Sequence, residues 1–189
     1  MTIEQDDLSH AEMASLAKRI DRPIALIGMM GVGKSTVGRR LATLLQFPFA
    51  DADDEIEEAA QLSVSEIFER FGEDYFRDGE RRVIARLVEE GPSVIATGGG
   101  AFCQEETRNL LLEKAIPVWL DADIDVLVER VGRKDTRPLL KDGNPREILA
   151  GLYEKRAPFY RQAPIHVTSV GGPHNATAMR ILKEIEEWL

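Results

Sequence analysis

Cysteine occurs once in the 189 residues, at Cys103. That excludes an internal disulfide framework and any metal site built from several thiolates, and it fits a reducing compartment. Positive charge is in the minority: 24 Lys and Arg against 33 Asp and Glu leave a net charge of −9, with no long basic run. Neither nucleic acid nor a membrane is expected as a partner, because nucleic acid and anionic lipid surfaces are both held by clustered Lys and Arg. No apolar run approaches the roughly 18 residues of a membrane span. Glu4, Asp6 and Asp7 make the N-terminus acidic, which fits neither a secretory signal nor an acid-poor transit peptide. The remaining composition, 43% apolar and 30% charged, is that of an ordinary globular chain with room for one core. A monomeric, cytoplasmic enzyme or binding protein is expected.

The first 22 residues stand apart as an N-terminal extension. Residues 1 to 8 are expected to be disordered. Ser9 and Glu12 have capping-box spacing, and Met13, Leu16, Ala17 and Ile20 form an apolar stripe, so a short amphipathic helix follows. From Pro23 onward a single domain alternates strands and helices. "IALIG", "FPFAD", "SVIAT", "IPVWLDA" and "IHVTS" read as five strands. Between them lie the helical patterns "KSTVGRRLATLL", "DDEIEEAA", "VSEIFERFG", "DYFRDGERRVIARLVEEG", "EETRNLLLEK" and "DIDVLVERVG". A further helix is predicted from Arg146 to about Tyr160, and a last one capped by Asn175. Strands separated by helices of this length require crossover connections, hence a mostly parallel five-stranded sheet in a three-layer α/β/α domain. Residues 133–145, "RKDTRPLLKDGNP", are polar and rich in turn formers and predict a mobile lid.

"GMMGVGKST" matches G-x-x-x-x-G-K-[ST] from Gly28 to Ser35, between a strand and a helix. Glycines at Gly28, Gly31 and Gly33 let backbone N–H groups curl around a phosphate, and the helix start adds partial positive charge. With Val32 and Thr36 they form the expected ATP site. There Lys34 reaches the β- and γ-phosphates and the Ser35 hydroxyl ligates Mg²⁺. No Asn-Lys-x-Asp run suggests a guanine-reading switch, and the length leaves no room for a motor.

"FADADDEIEE" places Asp51 and Asp53 one residue apart at an expected strand end. Side chains at i and i+2 of a strand leave the same face, so both should point the same way. Many P-loop enzymes end a second strand with a metal-binding aspartate, but "SVIAT" ends in Gly98, Gly99 and Gly100. Asp51 is then the candidate to complete the metal shell. Asp53 is left to accept a proton from an attacking hydroxyl. Asp54 could equally be a simple helix N-cap. The glycine triplet puts bare backbone at the carboxyl end of a strand, where α/β folds bind ligands.

Taken in order, "GMMGVGKST", "DAD", "FRDGE", "ATGGG", "TRPLL" and "KRAPFY" resemble the shikimate kinase family, from about Pro23 to the C-terminus. The resemblance implies a P-loop, nucleoside-monophosphate-kinase-like (NMP-kinase-like) fold with strand order 2-3-1-4-5. It also implies ATP-dependent phosphorylation of the shikimate 3-hydroxyl, on the route to chorismate and the aromatic amino acids. Carried over residue by residue, Lys34 and Ser35 match the phosphate and Mg²⁺ positions. Asp51 matches the acid near the metal and Asp53 the catalytic base. Arg77, Gly99, Gly100 and Arg156 match substrate-binding positions. Glu80 matches an acid supporting those arginines, and Phe68 and Phe76 match apolar pocket walls. Arg137 matches a lid arginine and Arg130 one that stacks on adenine. Two alternatives remain: another small-molecule kinase of this fold, such as a gluconate kinase, and a noncatalytic ATP-binding module.

Overall fold

Five short strands make the centre of the molecule: β1 (Ile24–Ile27), β2 (Phe49–Asp51), β3 (Val94–Ala96), β4 (Ile116–Asp121) and β5 (Ile165–Thr168). Every neighbouring pair is parallel, in the order β2-β3-β1-β4-β5. The computed structural model describes residues 7–133, 143–169 and 171–189. β1 and β3 are buried along their whole length, which is why they read as unbroken apolar runs. β5, at the sheet edge, alternates buried Ile165 and Val167 with exposed His166 and Thr168.

Eight α-helices surround the sheet among the described residues: α1 (His10–Arg19), α2 (Lys34–Leu45), α3 (Ala52–Ala60), α4 (Val64–Glu89), α5 (Glu105–Lys114), α6 (Ile124–Gly132), α7 (Pro145–Tyr160) and α8 (His174–Trp188). Helix α2 packs against α1 and α8, while α4 packs against α3 and α5. α4 is two helical stretches joined at Gly72, whose φ of 83° and ψ of 176° break the helix geometry. Residues Ser63 and Glu66 form a complete capping box at its start, as Ser9 and Glu12 do for α1. Met13, Leu16 and Ile20 seat α1 in the common core.

Three expectations are corrected. Leu8, assigned to a disordered tail, packs against the core. Asn175 does not cap α8, which begins at His174 with no side-chain cap; its Oδ1 instead accepts a hydrogen bond from Arg40 Nε at 2.7 Å. The third concerns Asp53. The strand β2 ends at Asp51, and Asp53 lies in the first turn of α3, so strand alternation does not set its direction. Arg137 and most of the segment 133–145 lie outside the described residues.

Candidate active site

The carboxyl ends of β1, β2 and β3 open onto one cleft of about 1060 Å³. At its β1 end, Gly31 and Gly33 have φ of +80° and +97°, backbone conformations that L side chains rarely adopt, and Gly33 leads directly into α2. The loop therefore delivers the unpaired N–H groups of the first helical turn to the cleft. Lys34 begins that helix, and its Nζ donates to the carbonyls of Gly28 at 2.8 Å and Met29 at 2.9 Å. From α6, Arg130 Nη1 donates to Val32 O at 2.9 Å and ties the loop to that helix.

Asp51 joins three elements. Its Oδ1 caps α3 by accepting from the Asp53 N–H at 3.0 Å, and its Oδ2 accepts from the Ser35 hydroxyl at the start of α2. Asp53, one turn into the cleft, has its carboxylate beside Gly98. A Cβ on that glycine would lie 3.1 Å from Asp53 Oδ1 and 2.8 Å from Glu80 Oε2. Burial, with the negative charge of Asp51 second, pushes the Asp53 carboxyl above the usual carboxylate range, and Lys34 opposes that rise.

The far wall comes from α4 and α7. Arg77 Nη1 lies 2.8 Å from Glu80 Oε1, one turn along α4, and Glu80 has no exposed surface. Burial pushes the Glu80 carboxyl upward, against the pull of the Arg77 charge. Phe68 and Phe76 pack with ring centroids 4.6 Å apart and line the same wall. Arg156, on α7, reaches the glycine triplet from the other side, its Nη1 2.9 Å from where a Gly99 Cβ would be. A Cβ on Gly100 would stand 2.8 Å from the guanidinium carbon of Arg77. Each glycine of the triplet thus leaves room for one part of the site: the carboxylates at Gly98, Arg156 at Gly99, Arg77 at Gly100.

Two guanidinium donors complete the picture. Arg77 Nε, 3.5 Å from Glu73 Oε1, and Arg156 Nη1 are buried and lack a hydrogen-bond partner among the described residues. Buried donors without partners are costly, and they are retained where a ligand pairs with them. The phosphate loop lines the same cleft, and its Met30 N–H lies on the far side of Gly99 from Arg156. One cleft thus offers backbone N–H groups suited to a polyphosphate, two guanidiniums suited to a carboxylate, and the carboxylate of Asp53.

Residues 30–186 match the model of the family described as shikimate kinase. The chain belongs to the shikimate kinase family. A shikimate kinase of Novosphingobium aromaticivorans is 61% identical over 186 residues, covering 96% of each chain. One from Caulobacter vibrioides is 54% identical over 166 residues, 88% of this chain and 83% of its own. Among solved structures, shikimate kinase from Acinetobacter baumannii in complex with shikimate superposes with a TM-score of 0.85 at 38% identity, covering 88% of this chain and 93% of that one. A gluconokinase from Sinorhizobium meliloti, at 20% identity and a TM-score of 0.58, shares the fold alone. This chain is accordingly an ATP-dependent kinase of the shikimate kinase family, and the gluconate kinase and noncatalytic alternatives fall away.

Of the residues expected from the sequence, the structure brings Gly31, Gly33, Lys34, Ser35, Thr36, Asp51, Asp53, Phe68, Phe76, Arg77, Glu80, Gly99, Gly100, Arg130 and Arg156 to one cleft. Val32 does not line it; its side chain is buried and only its carbonyl takes part, holding Arg130. Sequence reasoning missed Met30, Glu57 and Thr97, which line the cleft together with Gly98. Gly98 was visible as the first of the triplet. Thr97 carried no signal: its hydroxyl donates to Leu26 O at 2.9 Å, a contact 71 residues away in sequence. Among the described residues no helix is long and apolar enough to cross a membrane.

Proposed function

We propose that the cleft performs the family's phosphoryl transfer, from ATP to the 3-hydroxyl of shikimate, with the following division of labour. The phosphate loop and Lys34 hold the β- and γ-phosphates, and Arg130 sits beside the nucleotide. Arg77 and Arg156 grip the shikimate carboxylate, since a guanidinium matches a carboxylate through two parallel hydrogen bonds. That leaves the ring hydroxyls facing Asp53 and the glycine triplet. The Asp53 carboxylate accepts the hydroxyl proton as the oxygen attacks the γ-phosphorus. The new O–P bond forms as the bond to the β,γ-bridging oxygen breaks, and ADP leaves. A base whose pKa is raised toward the working pH suits this task better than an ordinary aspartate.

The Ser35 hydroxyl and Asp51 carboxylate are hard oxygen donors side by side, a set that fits Mg²⁺, which binds through one or two carboxylates plus phosphates and water. Among the described residues no group of three or more His, Cys, Asp or Glu could hold a metal by itself. Ser35 and Asp51 would hold the cation together with the phosphates of the nucleotide. Bound there, Mg²⁺ supplies charge neutralisation on the phosphates.

The observation that carries this reading is that Arg77 and Arg156 each keep a buried N–H with no hydrogen bond among the described residues, in the cleft that the phosphate loop also lines. ADP release should be measured with shikimate, gluconate, AMP and no acceptor. Saturable turnover with shikimate alone is expected; equal rates with gluconate or AMP would defeat the assignment.

A further inference from the structure

Tyr160 is the last residue of α7, one turn after Arg156, and it has no exposed surface. Its hydroxyl donates to the carbonyl of Gly99 and stands beside the Arg156 side chain, and its ring packs on Trp119 with centroids 5.8 Å apart. The same hydroxyl lies 4.0 Å from Met29 Sδ in the phosphate loop. Burial pushes the phenol far above its ordinary pKa, so it remains a proton donor throughout the working range. Gly99 is where the two halves of the cleft meet: a Cβ there would lie 3.5 Å from Met30 N and 3.7 Å from Gly28 O on one side, and against Arg156 on the other.

In a trans peptide the C=O and the following N–H point in opposite directions. No peptide in the described chain is cis. A tyrosine that fixes the Gly99 carbonyl on the α7 side therefore turns the N–H of Gly100 the other way, toward the cleft that Gly100 lines. Among the described residues no acceptor pairs with that N–H. Turn bonds from Ala101 N–H to Gly98 O and from Cys103 N–H to Gly100 O hold the flanking groups, and between two glycines the Tyr160 contact is what fixes the orientation of the peptide itself.

We propose that Tyr160 is a positioning residue for the acceptor: by holding the Gly99 carbonyl it aims the Gly100 N–H at the bound substrate, beside Arg77. It does not touch the reacting atoms. It links the carboxylate clamp on α7, the glycine triplet and the phosphate loop into one frame, so that the acceptor is held in register with the γ-phosphate. The inference rests on the proposed assignment of shikimate as the acceptor in this cleft.

The test is steady-state kinetics of Tyr160→Phe beside the wild-type chain, with thermal unfolding of each. The ring and its packing on Trp119 are kept; only the hydroxyl goes. A lost hydrogen bond to a buried carbonyl is expected to raise the KM for shikimate about ten-fold, with the KM for ATP within about two-fold. Met13→Ala, in α1, controls for a general loss of stability: it should lower Tm and leave both KM values unchanged. If Tyr160→Phe keeps the wild-type KM for shikimate, or raises both KM values together, Tyr160 is merely a core residue and the proposal is wrong. Absence of shikimate-dependent turnover in the wild-type chain would instead remove the acceptor assignment itself, and this inference with it.

Discussion

Arg77 and Glu80 form an ion pair in which one carboxylate oxygen is 2.8 Å from the guanidinium and the other, Oε2, is buried beside Gly98 with no hydrogen-bond partner among the described residues. A fully buried acid held this way orients the arginine far more than it stabilises the fold, because desolvation offsets much of the attraction. Removing one member of such a pair is different, since it leaves the other charge uncompensated.

Glu80→Ala is expected to lower stability by about 3 kcal/mol, the lower part of the range for breaking a buried pair, because Arg77 keeps some contact with solvent. The same variant should raise the KM for shikimate while the KM for ATP holds. Chemical denaturation with parallel kinetics tests both, and a variant as stable as wild type with unaltered KM would remove Glu80 from the site.

Asp53→Asn separates function from stability. Loss of a general base lowers turnover by about 10²–10⁴-fold, with nucleotide affinity near normal. Asp53 has a raised pKa in the folded protein. Its ionisation therefore opposes folding, and its contribution to stability is lost as pH rises through the folded value. Removing the charge should raise Tm. That gain should be absent below about pH 4, grow as pH rises and level off above the raised pKa. The wild-type kcat/KM should fall on the acid side with a midpoint above the ordinary carboxylate range. A midpoint near that of a free aspartate, or a less stable Asp53→Asn at neutral pH, would contradict the assignment.

The carboxylate clamp predicts that Arg77→Lys and Arg156→Lys each raise the KM for shikimate at least ten-fold, because lysine offers one compact charge where arginine offers a fork. ATP affinity should barely move. A shikimate analogue without the carboxylate should bind the wild type poorly and lose little more in either variant. Unchanged KM values in both variants would end the clamp, and with it the main ground for shikimate as acceptor.

Two glycines, Gly100 of the triplet and Gly79 in α4, should respond in opposite ways. A Cβ on Gly100 stands 2.8 Å from the Arg77 guanidinium carbon, whereas a Cβ on Gly79 meets nothing within 4 Å. Gly100→Ala should displace Arg77 and raise the KM for shikimate. Gly79→Ala, inside α4, should leave kinetics alone and stabilise by about 0.5–1 kcal/mol through reduced freedom of the unfolded chain. Similar kinetics for the two variants would show that the triplet does not serve as room for Arg77.

Much of this molecule was legible before folding was considered. The five strands, the phosphate loop and the helix starts at Ser9 and Ser63 follow from local chemistry: apolar runs, buried on both faces in β1, β3 and nearly all of β4, glycines that tolerate positive φ, hydroxyls that accept first-turn N–H groups. The pairing of Arg77 with Glu80 was legible too, as an i, i+3 contact on one helix. Asp51 and Asp53 do share the cleft, but for a reason that the strand pattern could not supply: the chain turns into α3 immediately after Asp51, which caps that helix and so aims Asp53. What only the tertiary structure decided is long-range. Arg77 and Arg156 meet across a glycine triplet that belongs to a third element, and Tyr160 reaches the Gly99 carbonyl from 61 residues away. No local periodicity encodes such contacts, because they arise from the crossover connections that stack α4, β3 and α7 around one strand end. The glycines at 98, 99 and 100 marked the place in the sequence, and packing determined which side chains would fill the space that they leave.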